Sequence, residues 1–144
     1  MRILIAYASY SGNTKEVADM LYEELTQARM NVDMHHIDFD PFVNMSAYDY
    51  FFLGTFTWDY GCTPDEVKDF VYRVGYKPDN VAIFGTGDTQ FGEEHHYCMA
   101  VDKLVKFYNS KWPGLKIEQS PRGAQEENIQ QWVRGVLEDV YAYA

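Results

Sequence analysis

A short run of hydroxyl residues follows the first apolar segment of the chain. Residues 3–7 are apolar, and Ser9, Ser11, Gly12 and Thr14 come next, before a stretch with helical periodicity begins. Backbone N–H groups at a helix start bind anions together with the helix dipole, and hydroxyl groups add donors. Glycine lets the backbone come close to such an anion. Because this run contains no Lys or Arg, we predict a phosphate site neutralised by dipoles and hydrogen bonds alone.

Two further polar segments follow apolar runs, and both carry aromatic residues. Residues 54–61 read Gly-Thr-Phe-Thr-Trp-Asp-Tyr-Gly, and residues 85–92 read Gly-Thr-Gly-Asp-Thr-Gln-Phe-Gly. Loops run over the surface, so three aromatic residues within five positions of a loop are unusual as core residues. We therefore expect these side chains to clamp a planar ring, and flavin mononucleotide (FMN) has both the ring and the phosphate. The glycine spacing fits neither a Walker loop nor a dinucleotide-binding loop.

The three segments are expected to lie at one edge of a parallel sheet. Apolar runs alternate with amphipathic stretches, which predicts strands joined by right-handed crossover helices. We predict an α/β three-layer sandwich, a five-stranded parallel sheet of order 2-1-3-4-5 with helices on both faces. Such sheets bind ligands at the carboxyl ends of strands, where the strand order reverses. The predicted strands are Ile3–Tyr7, Val32–Ile37 (a polar edge strand), Tyr48–Thr55, Asn80–Gly85 and Leu115–Glu118.

The second helix has the clearest start in the sequence. Thr63 is predicted as its N-cap and Pro64 as its first residue, and Glu66 would close a capping box. Gly75 suits the C-cap. The other predicted helices carry apolar stripes within residues 17–28, 99–108 and 129–140.

The composition of the chain argues against several classes of binding partner and indicates a cellular location. The 144 residues are expected to form one domain, 1–144, and the net charge of −10 argues against binding to nucleic acid or to anionic membranes. Cys62 and Cys98 form neither a Cys-x-x-Cys motif nor a disulfide framework, so a cytoplasmic location is expected. No signal peptide and no membrane span are predicted.

Four motifs, in the same order along the chain, resemble those of bacterial flavodoxins of the short-chain type. They are residues 9–14, residues 54–58 with Gly61 and 64–66, residues 85–89, and the Cys-x-Ala-Val-Asp run at 98–102. The likeness spans essentially the whole chain. It implies an FMN-dependent, low-potential one-electron carrier that shuttles electrons between a reductase and acceptor redox proteins, rather than an enzyme.

The resemblance also implies which residues meet FMN. The first loop would hold the phosphate, Trp58 would stack on the inner ring face, and Asp59, Tyr60 and Gly61 would border the ring atom N5. Phe91 is assigned to the outer face, although the unusually long segment before Cys98 leaves Tyr97 as an alternative. The full implied set is Ser9, Tyr10, Ser11, Gly12, Asn13, Thr14, Phe56, Thr57, Trp58, Asp59, Tyr60, Gly61, Thr86, Gly87, Asp88, Phe91, Tyr97 and Cys98.

Acidic residues near these loops indicate the kind of partner. Negative charge there is expected to lower the flavin potential and to attract basic faces of transient redox partners, with the carrier acting as a monomer. These residues are Asp59, Asp65, Glu66, Asp69, Asp88, Glu93 and Glu94.

Three alternatives compete with this interpretation. Residues 90–93 faintly resemble a segment of the flavodoxin-like activators of ribonucleotide reductase. A flavin-free signalling domain of the same fold would need acidic residues where Ala8, Ser9 and Thr57 stand. A histidine metal site is not expected, because His35 and His36 are adjacent on a strand and point to opposite faces. The histidines are instead predicted to be exposed to solvent.

Overall fold

Five parallel strands form one sheet ordered β2-β1-β3-β4-β5, which confirms the predicted α/β fold and strand order. The computed structural model describes residues 2–41, 44–57, 62–87 and 98–142. The strands are β1 (Arg2–Tyr7), β2 (Asn31–His36), β3 (Tyr50–Phe56), β4 (Val81–Gly87) and β5 (Leu115–Glu118). The helices are α1 (Asn13–Gln27), α2 (Asp65–Val74), α3 (Met99–Tyr108) and α4 (Ala124–Ala142), and a 3-10 turn, Met45–Ala47, precedes β3. No helix in this described part of the chain is long and apolar enough to cross a membrane.

Helices cover both faces of the sheet, so each face has its own apolar core. On one face α1 and α4 pack against side chains that include Ile5 and Phe52. On the other face α2 and α3 pack against side chains that include Leu53 and Ile83. Successive residues of a strand point to opposite faces, so a central strand covered on both sides is apolar throughout. This explains the unbroken apolar runs of β1, β3 and β4.

β3 and β4 extend further toward the site than predicted. Their last residues are Phe56 and Gly87, so Gly54 and Gly85 lie inside the strands rather than at their ends. A Cβ atom at Gly85 would lie 2.4 Å from Val101 Cγ2 and 2.6 Å from the carbonyl oxygen of Thr55. Glycine is therefore needed here for the close approach of α3 and β3, and not for a turn.

The start of α2 differs from the predicted capping box. Pro64 is the N-cap, with φ −58° and ψ 145°, and no side chain in the described part of the chain caps the helix. The extended ψ of Pro64 delays the first helical residue to Asp65, so Thr63 and Glu66 do not form the predicted reciprocal pair. Gly75 ends the helix in the left-handed region at φ 80°, as predicted.

The prediction that the histidines are exposed is wrong for the two on β2. His35 is 5% exposed, and its ring centroid lies 5.7 Å from that of Phe70 in α2. His36 is half-buried, with its ring between those of Tyr7 and Phe39. The edge strand is polar in sequence, but α2 covers one of its faces near the carboxyl end. Among the described residues, no group of three or more His, Cys, Asp or Glu side chains could hold a metal ion.

Burial of His35 gives the fold a pH dependence of known sign. Burial lowers the pKa of His35 from its ordinary value of 6.5, while Asp40 raises it and His36 lowers it further. As pH falls below about 6.5, the unfolded chain takes up a proton that the folded chain resists, so the free energy of unfolding decreases. We expect His35→Phe to remove this loss between about pH 7 and about pH 5, measured by urea unfolding. A variant that loses stability as steeply as the wild type would contradict this role of His35.

Candidate functional site

The loop between β1 and α1 directs two backbone N–H groups at one point. The N–H groups of Gly12 and Lys15 donate to the hydroxyl oxygen of Ser9, at 3.2 and 3.3 Å. Gly12 is the N-cap of α1 and has no side chain to cap the helix, so Ser9 provides the acceptor for the first-turn N–H of Lys15. The first N–H groups of a helix have no acceptor within the helix. This helix end therefore offers donors and a positive dipole to an anion.

Gly12 gives the loop its shape. Its backbone has φ 94° and ψ −9°, a conformation that side chains with a Cβ rarely adopt. A Cβ atom built on Gly12 would meet no described atom within 4 Å. The space in front of the loop is thus open, and the donors of the loop and the room beside them fit a phosphate group.

The side chain of Lys15, a basic residue adjacent to this loop in the chain, is paired on α1. The Nζ atom of Lys15 donates to Asp19 Oδ2 at 2.9 Å, one turn further along α1. This hydrogen bond raises the pKa of Lys15, so the ammonium group stays charged and paired on the outer side of the helix. That dipoles, rather than a basic side chain, would neutralise the anion stays a prediction.

Thr14 and Thr86 connect this loop to the end of β4. Their hydroxyl oxygens lie 2.7 Å apart, and the two residues are 1% and 3% exposed. One hydroxyl donates and the other accepts, which in a typical case contributes about 1 kcal/mol of stability. The side chain of Thr14, which was predicted to meet the phosphate, therefore links the first turn of α1 to β4.

The end of β3 is held by contacts on either side of it. Thr57 donates its backbone N–H to the carbonyl oxygen of Thr86 at 3.3 Å, and its hydroxyl oxygen accepts from the N–H of Ala100 at 3.2 Å. The rings of Tyr10 and Phe56 have centroids 6.2 Å apart, although Tyr10 is 76% exposed. The end of β3 is therefore tied to the first loop, to β4 and to the start of α3.

The other predicted site residues fall into three groups. Ser11 is exposed, Asn13 is half-buried, and the carbonyl oxygen of Gly87 accepts from Gln119 N–H at 2.8 Å. Cys98 is fully buried, with its sulfur 4.0 and 3.9 Å from strand carbonyl oxygens, so it lies in the core beneath the site rather than at its surface. Seven predicted residues lie outside the described residues: Trp58, Asp59, Tyr60, Gly61, Asp88, Phe91 and Tyr97.

A cavity of about 500 Å³ opens at the same edge of the sheet. This volume is within the usual range for small-molecule sites. All five of the following residues line this cavity: Tyr10 and Phe56 were predicted as site residues from the sequence, and Cys62, Thr63 and Lys68 were not. Only the topology could have predicted that these three residues line the cavity, because a helix that follows a strand-end loop places its first turn at that edge of the sheet. The lining is completed by Pro64, Asp65 and Glu66.

Sequence and fold are both similar to those of flavodoxins. The family model described as Flavodoxin matches residues 5–132. The chain is 34% identical over 137 residues to "probable flavodoxin 2" of Bacillus subtilis (strain 168), and the alignment covers 89% of each protein. It superposes on oxidised flavodoxin 2 of Bacillus cereus with a TM-score of 0.80 at 31% identity, covering 96% of this chain and 99% of that one. For oxidised flavodoxin 1 of the same organism the TM-score is 0.83 at 26% identity, with 96% and 98% covered.

Proposed function

The chain belongs to the flavodoxin family and is therefore an FMN-dependent one-electron carrier rather than an enzyme, and we propose that residues 9–14 hold the FMN phosphate. The observation that carries this proposal is the convergence of the Gly12 and Lys15 N–H groups at the start of α1. FMN, when bound, supplies the ring that accepts and releases the electron. The residues of the chain bind it, orient it and set the charge around it.

Each part of the site has a separate role in this proposal. The hydroxyls of Ser9 and Ser11, the side chain of Asn13 and the N–H groups of the loop bind the phosphate. Thr14 and Thr86 position that loop through their buried hydrogen bond. Trp58 on the inner ring face and Phe91 or Tyr97 on the outer face remain predictions, as do the other implied contacts.

The partners of a flavodoxin are other redox proteins, and we infer that those of this chain present basic faces. The chain carries a net charge of −10. Asp65 and Glu66 line the cavity at the strand ends, so part of this charge lies beside the proposed FMN site. Opposite charge speeds the encounter of such partners, and salt weakens it. We propose that the chain acts as a cytoplasmic monomer with one FMN-binding domain, 1–144.

The family match favours the electron carrier over a flavin-free signalling domain and over an activator of ribonucleotide reductase. The relatives described above are named as flavodoxins, and the match extends over most of both chains. A flavin-free signalling domain would leave the phosphate loop without a ligand. No described feature favours an activator of ribonucleotide reductase.

Comparison of FMN with riboflavin tests the phosphate site. The two ligands share the ring and the ribityl chain, and they differ by the phosphate. We expect apoprotein to bind FMN at least about tenfold more tightly, since each hydrogen bond to a charged group contributes about 1.5–3 kcal/mol. Quenching of flavin fluorescence measures both dissociation constants. Equal constants would contradict the proposed phosphate loop, whereas failure to bind either flavin would contradict the cofactor assignment itself.

A further inference from the structure

A second and larger cavity lies between α2 and α3, on the face of the sheet opposite α1 and α4. It is a groove of about 600 Å³. The buried Val67 and Leu104 contribute to its lining, and so do the rings of Tyr72, Tyr76 and Phe107. Its lining is therefore mostly apolar and aromatic, like that of binding pockets of similar volume.

The aromatic residues of this groove are unusually accessible. Tyr72 is 85% exposed, Tyr76 50% and Phe107 42%. They are three of the seven large apolar residues that are exposed in the described part of the chain. A cluster of exposed apolar side chains with a polar rim marks an interaction site more often than isolated exposed residues do. The fold alone does not require aromatic side chains at such exposed positions.

The charge at the groove is opposite to that of the whole chain. Lys68, Lys77 and Lys103 line it, and none of the described lining residues is acidic. The Nζ atom of Lys77 lies 4.0 Å from the centroid of the Phe107 ring, a cation–π contact that keeps this ammonium group beside the apolar surface. On a chain with a net charge of −10, the groove is thus a local basic and apolar surface.

We propose that this groove binds an acidic amphipathic helix of a redox partner protein. Apolar side chains spaced three and four residues apart would lie between Tyr72 and Phe107, and carboxylates would pair with the three lysines. The charge of the groove selects the occupant, because a basic helix would meet these lysines with like charge. Two helices form the sides of the groove, and none of its described lining residues belongs to a strand, which favours a helix over an added strand.

The position of the groove connects it to electron transfer. Thr63 and Lys68 line both the groove and the cavity at the strand ends, so a docked helix would begin beside the proposed FMN site. The inference rests on the proposed function, since a carrier must hold its partner near its cofactor. According to this inference, an acidic segment of a partner binds to α2 and α3, and a basic surface of a partner binds to the acidic strand-end edge.

A pair of synthetic peptides tests the proposal. The probe is an amphipathic peptide of about 15 residues with Leu at helical spacing and Glu elsewhere, and the matched control has Lys in place of every Glu. FMN-loaded, ¹⁵N-labelled protein is titrated with each peptide, and backbone amide shifts give the dissociation constants and the surface involved. We expect saturable binding of the Glu peptide with shifts in α2 and α3 and weaker binding at higher salt. The Lys peptide should cause no shifts in the groove residues of α2 and α3, and any binding it shows should map to the acidic strand-end edge.

Variants at exposed positions separate the groove from the rest of the surface. We expect Tyr72→Ala and Lys77→Glu each to weaken binding of the Glu peptide at least about fivefold, while Tyr22→Ala, an exposed tyrosine of α1, leaves it unchanged. Absence of saturable binding, or binding unaffected by both groove variants, would overturn the proposal. Flavin absorbance is recorded in the same samples, so a protein that holds FMN and ignores the peptide contradicts only this inference.

Discussion

Replacing Gly85 with alanine is expected to lower the free energy of unfolding by roughly 3 kcal/mol, the upper end of the usual cost of overpacking. The added methyl group would lie 2.4 Å from Val101 Cγ2 and 2.6 Å from the carbonyl oxygen of Thr55. The valine side chain can rotate, but the oxygen belongs to β3, whose Thr55 is the ladder partner of Gly85. Because interiors are close-packed, relief requires β3 and β4 to separate or α3 to move outward.

Urea unfolding of the apoprotein measures this effect, and α4 supplies a matched control. Gly135 lies on the exposed side of α4, and a Cβ atom there would meet no described atom within 4 Å. Gly135→Ala is expected to raise the free energy of unfolding by about 0.5–1 kcal/mol, because alanine favours a helix over glycine. If packing decides the outcome, the free energy of unfolding should fall for Gly85→Ala and rise for Gly135→Ala. A similar small change at both positions would show that β3, β4 and α3 are not closely packed at Gly85.

The order of elements could be predicted because it depends on local patterns. Apolar runs and helical stripes recur along the chain, and their alternation determines a parallel sheet with crossovers. The ends of β3 and β4 could not be predicted in the same way. Gly54 and Gly85 were predicted at the ends of these strands, where the polar segments start, whereas close packing against Phe84, Val101 and β3 is what requires glycine there. Local sequence carries no information on which distant side chain lies above a glycine.

In the candidate site, too, features formed by consecutive residues could be predicted, and contacts between distant residues could not. The candidate phosphate loop could be proposed from the sequence because its hydroxyls, its glycine and the helix start are consecutive in the chain. The hydrogen bond between Thr14 and Thr86 joins residues 72 positions apart, and the one between Thr57 and Ala100 spans 43 positions. The groove between α2 and α3 was missed for this reason too, since its rings and lysines come from two helices that only the fold brings together.

Ser9→Asp is expected to change stability and FMN affinity in opposite directions. The hydroxyl oxygen of Ser9 already accepts from the N–H groups of Gly12 and Lys15. A carboxylate in its place would accept from the same donors with a full negative charge at the positive end of α1. Such a charge stabilises a helix by about 0.3–1 kcal/mol. The apoprotein of this variant should therefore unfold at a higher urea concentration than the wild type.

FMN binding should weaken by at least about a hundredfold in the same variant. Two negative charges about 4 Å apart repel by about 4 kcal/mol at the effective dielectric constant of a protein surface, and the carboxylate would also occupy the donors. Ser9→Asn has a similar size and no charge, so we expect a much smaller loss of affinity. Riboflavin has no phosphate, and its dissociation constant should differ little between the two variants. If fluorescence titration gave equal FMN constants for Ser9→Asp and Ser9→Asn, the phosphate would have to bind elsewhere, because a carboxylate that occupies these donors would repel a phosphate bound beside it.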